Sequence, residues 1–193
     1  MKSIKYLTFA ATVIILSIIG CKKDKVSTTD LEIRLVDEQG IYISGASVKL
    51  YRSSADMQND TNQLGTAQIS DVDGKVTFSN LAEETYYWFA EKGCTNNSNG
   101  INTTPALDIN MTRVVTTTLS GTGTFKFTNT SQNQYQVYLN GYPLFTANAG
   151  YTYTYIYVPV DTYYIEVMQV NGSTDEYFTE AISCGSTVTV TFP

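Results

Sequence analysis

From Leu31 to the C-terminus the apolar residues recur at every second position, and that period decides what this chain can fold into. Leu31-Glu32-Ile33-Arg34-Leu35-Val36 alternates, and so does Ala46-Ser47-Val48-Lys49-Leu50-Tyr51. Successive side chains of a strand point to opposite faces, so alternation marks strands with one face on a core and one in water. Lys75–Phe78, Thr85–Ala90 and Thr112–Leu119 are further β-branched and aromatic runs. Phe125–Phe127, Gln134–Leu139, Tyr151–Val158, Tyr163–Val170 and Thr187–Phe192 continue the series. Gly, Asn and Asp punctuate them, and only Ser53–Leu64 has room for a turn of helix. Short strands separated by turn chemistry predict an all-β chain built as antiparallel sandwiches.

Composition agrees and removes several functions. The 193 residues are 42% apolar and 16% charged, which is too apolar and too weakly charged for a disordered chain. Eighteen Asp+Glu outweigh 12 Lys+Arg, a net charge of −6. Nucleic acid is therefore not an expected partner, because phosphate neutralisation needs clustered cations. Histidine is absent, which removes Ser-His and Cys-His catalysis and the commonest transition-metal ligand. No cofactor, metal site or catalytic residue is expected.

The N-terminus carries an address. Lys2 and Lys5 precede the apolar run Leu7–Ile19, which is too short to span a bilayer as a stable helix. A cationic start, a short apolar stretch and a small residue before a cut describe a secretory signal over residues 1–20. The segment Leu16-Ser17-Ile18-Ile19-Gly20-Cys21 resembles the lipobox of bacterial lipoproteins, of the Bacteroidota type. That resemblance implies cleavage before Cys21, a diacylglycerol thioether on its sulfur and an acylated amine. The partner of Cys21 is then the membrane. Lys22 is similar to the second residue of lipoproteins sorted to the outer membrane, so an outer-membrane, lipid-anchored location is expected. Residues 21–30 read as the lipidated Cys and a polar tether.

Two β units follow. The first carries Val36-Asp37-Glu38-Gln39-Gly40, Ser44–Tyr51, Ser70–Phe78, Asn80-Leu81 and Tyr86-Tyr87. This skeleton resembles the carboxypeptidase-regulatory-like and Cna-B-like domains, which implies a transthyretin-like sandwich over residues 31–120. The second unit, 121–193, contains Tyr135-Gln136-Val137-Tyr138-Leu139-Asn140-Gly141, which is similar to PEGA-type surface modules. Asn140-Gly141 between alternating runs marks a hairpin, since both central residues of a type I′ turn need positive φ. Gly121-Thr122-Gly123 reads as a flexible linker. Thr85-Tyr86-Tyr87 and Thr162-Tyr163-Tyr164 echo one another, which points to related sandwiches in tandem.

Candidate chemistry is sparse. Asp71-Val72-Asp73-Gly74 has the look of a calcium loop, yet position 82 is Ala where an EF-hand needs Glu, so a hairpin turn is the better reading. The Cna-B-like resemblance raises a Lys–Asn isopeptide bond. The inward cation expected on the first strand is Arg34, which is no amine nucleophile, and Thr112–Leu119 holds no Asn or Asp. The Asn-rich loop Thr95–Thr104 reads as solvated. With Cys21 lipidated, export leaves Cys94 and Cys184 as a pair in an oxidising compartment, a candidate disulfide clamping the two units. The other reading is two separate half-buried thiols. Tyr151, Tyr153, Tyr155 and Tyr157 alternate along one strand, so one face is four tyrosines long. Exposed, it is a candidate surface for carbohydrate or protein; buried, it is an aromatic core face.

These features favour a non-catalytic surface lipoprotein acting as an accessory or binding module for protein or glycan. The alternative is a carboxylate-only enzyme such as a glycoside hydrolase, in which the fold would bring two separated acids together.

Overall fold

The computed structural model describes residues 28–193. The signal, Cys21 and Lys22 lie outside them. The first half opens with β1 (Asp30–Val36) and β2 (Ser47–Tyr51), followed by a short helix α1 (Ser54–Asn59). Then come β3 (Gln68–Ile69), β4 (Lys75–Phe78), β5 (Tyr87–Lys92), β6 (Thr95–Asn96) and β7 (Thr112–Thr118). The second half holds β8 (Ser120–Asn129), β9 (Tyr135–Leu139), β10 (Tyr142–Ala147) and β11 (Thr152–Pro159). It ends with β12 (Asp161–Gln169), β13 (Asp175–Ile182) and β14 (Thr187–Phe192).

Alternation builds two sandwiches, as the period predicts. In the first, the sheet β4-β1-β7 packs against β6-β5-β2-β3. Leu31 and Ile33 of β1 and Val76 of β4 meet Val48 and Leu50 of β2 and Trp88 of β5. The Trp88 indole donates to the Thr117 hydroxyl (3.2 Å), so its one polar atom is satisfied inside the core. In the second, β10-β9-β12-β13 covers the sheet of β11, β8 and β14. Phe125, Phe127 and Phe192 on that sheet face Val137 of β9 and Ile165 and Val167 of β12.

The pairing is antiparallel with two exceptions. β1 pairs β7 in parallel, and β8 pairs β14 in parallel. Each sandwich therefore joins its own first and last strands side by side, the same closure twice.

The junction departs from the flexible linker expected at Gly121–Gly123. Leu119 alone separates β7 from β8; it is buried in the first core, and its N–H donates to the Val36 carbonyl (2.9 Å). The start of β8 pairs with β6 of the first sandwich (Asn96↔Ser120, Thr95↔Gly121), and the remainder pairs with β11 and β14. One strand is shared by both sandwiches. The glycines serve close approach rather than freedom. A Cβ on Gly123 would stand 2.7 Å from Ile182 Cγ2 and 2.9 Å from the Ser183 and Ser186 carbonyl oxygens.

Local chemistry explains the other boundaries. Asn140 (φ 50°) and Gly141 (φ 81°) form the expected hairpin turn between β9 and β10. In the β3–β4 turn the Asp71 carboxylate accepts the backbone N–H groups of Asp73 and Lys75 (2.9 Å each). Arg34 does not point inward: Leu31, Ile33 and Leu35 take the buried face, which leaves Arg34 on the outer face with Glu32 (2.6 Å). Nor is the Asn-rich loop wholly solvated, because Asn96 and Asn97 are buried. The Asn97 side chain accepts from Ala90 N–H (2.8 Å) and donates to Trp88 O (3.2 Å), so it substitutes for a missing ladder partner.

Candidate functional site

The four-tyrosine strand does not present one face. Tyr153 pairs with Phe127 and Tyr155 with Phe125, and directly paired residues share a side of a sheet. Tyr153 therefore lies at the rim of the second core, and Tyr155, on the same side, is exposed. Tyr153 stacks on Phe145 (centroids 4.7 Å apart), and its hydroxyl accepts the Asn148 N–H (3.0 Å). Tyr151 stands exposed just before β11. Between Tyr155 and Val158 the ladder slips: Val158 pairs with Gly123 and is buried in the second core. A bulge of this kind breaks the alternation of faces. Tyr157, at φ 59° in the left-handed region, is turned onto the opposite side, against Phe89 of the first sandwich (centroids 5.3 Å apart). A bulky residue seldom holds that backbone conformation unless its surroundings impose it.

Cys94 and Cys184 are joined in a disulfide, with Cα atoms 5.4 Å apart across a separation of 90 residues. Beside it, Thr122 N–H donates to Cys94 O (2.9 Å) and Gly185 N–H to Thr122 O (2.8 Å). Together with the β6–β8 ladder and the Phe89–Tyr157 contact, the bridge fixes one sandwich against the other.

Between them lies a cleft of about 580 Å³, within the range of small-molecule sites. Its floor is the outer face of β2 and β5, where Lys49 pairs with Phe89 and the neighbouring alternate positions are Tyr51 and Glu91. One wall is the end of α1. Ser53 caps that helix by accepting the Asp56 N–H (3.0 Å), and Asp60 closes it in the left-handed conformation (φ 49°). The other wall is Ile156 and Tyr157 of the second sandwich. A smaller cleft of about 390 Å³ shares those two residues and continues the groove to the disulfide. A further cavity of about 450 Å³ is the open end of the first core, lined by Leu50, Phe78 and Tyr86.

The electrostatics of the main cleft are largely settled from within. The Asp60 carboxylate accepts from Lys49 Nζ (2.7 Å) and from the Tyr51 hydroxyl (2.6 Å). Those two bonds, Lys49 first, hold Asp60 below the ordinary carboxylate range. Burial, aided by Asp60, pushes the Tyr51 phenol up. Burial and then the charge of Glu91 push Tyr157 up as well, so both phenols stay protonated near neutral pH. Glu91 is half-buried, and among the described residues its carboxylate makes no hydrogen bond or ion pair. The Asn102 side-chain amide is likewise unengaged there.

The arrangement offers ring surface from Phe89 and Tyr157, a spare carboxylate and a spare amide. The lowered Asp60 carboxyl is unsuited to serve as a general acid, which needs a raised pKa. Sequence reasoning missed Lys49, Tyr51, Phe89, Glu91 and Asp60. The first four were readable as outward positions of two strands, but nothing local says that α1 and a bulge of the other sandwich would wall them in.

Among the described residues no helix is long and apolar enough to cross a membrane. No protein-family model matches the chain, and no curated protein matches it. Solved structures similar to it include the streptococcal ancillary pilin, at 14% identity and a TM-score of 0.41, over 86% of this chain and 63% of that one. The Bacillus anthracis TIE protein is similar at 13% identity and a TM-score of 0.37, over 86% of this chain and 34% of that one. The minor pilin of Streptococcus agalactiae is similar at 15% identity and a TM-score of 0.33, over 84% and 94%. The chain spans less than two thirds of the length of the first two.

Proposed function

We propose that this chain is a lipid-anchored lipoprotein of the outer membrane or cell surface. Its two domains, 31–120 and 121–193, present a non-catalytic binding site for a protein or glycan. The observation that carries the binding reading is the cleft where the sandwiches meet, with Phe89 and Tyr157 as ring surface and Glu91 and Asn102 as unengaged polar groups. The disulfide and the shared strand β8 hold its two walls in register, which lowers the entropy cost of binding. The repeated parallel closure of first and last strands supports the reading of two related modules, transthyretin-like and then PEGA-like.

The anchor rests on Gly20-Cys21 at the end of the apolar run. Each buried methylene contributes about 0.8 kcal/mol, so two or three acyl chains hold stably where one does not. Fractionation tests it: Cys21→Ala should move the protein from the membrane to the soluble fraction, and unchanged fractionation removes the anchor. The second reading, a carboxylate enzyme, is favoured by one fact, that Asp60 and Glu91 both line the cleft. Glycoside cleavage that is lost in Glu91→Gln would establish it over binding.

A further inference from the structure

We infer that the cleft between the sandwiches takes a neutral saccharide, held by stacking on Tyr157 and Phe89 and by hydroxyl bonds to Glu91 and Asn102. The inference rests on the binding-module reading and names the ligand class of that same site.

The argument starts from what the cleft leaves unsatisfied. Lys49, Tyr51 and Asp60 already bond one another, so the hydrogen bonds of the floor are largely committed, while its ammonium and carboxylate keep their charges. Glu91 is a half-buried carboxylate that only accepts hydrogen bonds, and among the described residues it receives none, although its charge is felt by Lys49 and Tyr157. A half-buried acceptor of this kind is best met by O–H or N–H donors from a ligand, because bonds to an ionised group are the stronger ones. Asn102 can both donate and accept, and so can the Tyr157 hydroxyl, which keeps its proton.

Three ligand charges can be compared. An anion would meet Glu91 and Asp60. A cation would meet the Lys49 ammonium, which is close enough to Glu91 to feel its charge. A neutral polyol meets neither penalty. It supplies several O–H donors for Glu91, matches the mixed donor and acceptor character of Asn102, and carries an apolar C–H face for the rings. The paired rings, 5.3 Å apart and inclined at 46°, offer that face two surfaces from two different sandwiches. Tyr157 owes its place there to the bulge and its left-handed backbone, so this strained residue contributes the anchor contact.

The test uses the full-length chain in a non-glycosidic detergent, with maltose, cellobiose, lactose and chitobiose as probes. Binding is read by calorimetric titration and by saturation transfer to the sugar protons. At least one disaccharide should bind saturably, and Tyr157→Ala and Glu91→Ala should each weaken it by roughly tenfold or more. Tyr164→Ala, whose ring stacks on Tyr177 outside the cleft, should leave it unchanged. Thermal melts accompany each variant, and Asn102→Ala, a smaller change, gives a second reading if either of the first two fails to fold. Binding of none of the four sugars, or binding indifferent to Tyr157, Glu91 and Asn102, overturns the inference. Glu91-dependent binding of dilysine in place of sugar also overturns it, while leaving the binding module intact. Cleavage of a bound disaccharide would support the saccharide site and end the non-catalytic reading.

Discussion

Replacing Cys94 and Cys184 together by alanine should destabilise the protein through its denatured state. The bridge closes a loop of 90 residues. The chain-entropy relation for such a loop gives about 15 cal/mol/K, or about 4–5 kcal/mol near room temperature. Little should be lost in the native state, because Cys184 is exposed and Cys94 only half-buried, so no sealed cavity opens. The β6–β8 ladder and the Phe89–Tyr157 contact also keep the sandwiches in register without it. Urea unfolding of the oxidised and the double-alanine proteins measures the difference. The midpoint should fall and m should rise, since an uncrosslinked denatured chain exposes more surface. In a thermal scan the same loss corresponds to about 10–15 °C. A loss below about 1 kcal/mol at unchanged m would refute the entropic argument. Two separate transitions in the variant would refute the claim that the β6–β8 ladder and the Phe89–Tyr157 contact hold the sandwiches together without the bridge.

Gly123→Ala should cost about 1–3 kcal/mol, because its methyl would press on Ile182 and on two backbone carbonyls that cannot rotate away; unchanged melting would show that the strand relaxes. Trp88→Ala should cost about 3–5 kcal/mol, and circular dichroism with urea titration would show whether the first sandwich stays folded. Acid should loosen the cleft floor. The folded-state pKa of Asp60 is lowered, so its contribution is present above the ordinary carboxylate value and is lost as pH falls through the folded value. NMR titration of the Asp60 carboxyl and of α1 amide protection should show both changing together, and Asp60→Asn should remove that step.

Much of this architecture was written locally. Alternation in Leu31–Val36 and Ala46–Tyr51 specifies strands and their buried faces, because side-chain polarity and the two-residue pleat act within a single segment. Asn140-Gly141 and Asp71–Gly74 specify turns for the same reason: each needs only its own backbone angles and its own side chains. The two cysteines could be picked out as a candidate pair, but their bonding depended on distance. The strand β13 has no comparable local signal: Asp175–Ile182 alternates weakly in polarity, and pairing with β12 rather than its own pattern makes it a strand.

Tertiary structure decided everything about the cleft. Gly121-Thr122-Gly123 has the composition of a linker, yet Ile182, Val160 and Cys184 approach so closely that only glycine fits, and β6 and β11 make the segment a strand. Tyr151–Tyr157 has the pattern of one face, yet holding Val158 against Gly123 while Tyr155 stays opposite Phe125 forces an odd residue into the ladder. That odd residue turns Tyr157 toward Phe89. Neither the close approach nor the slipped register is encoded in the segment that displays it, because both are set by partners far away in the chain.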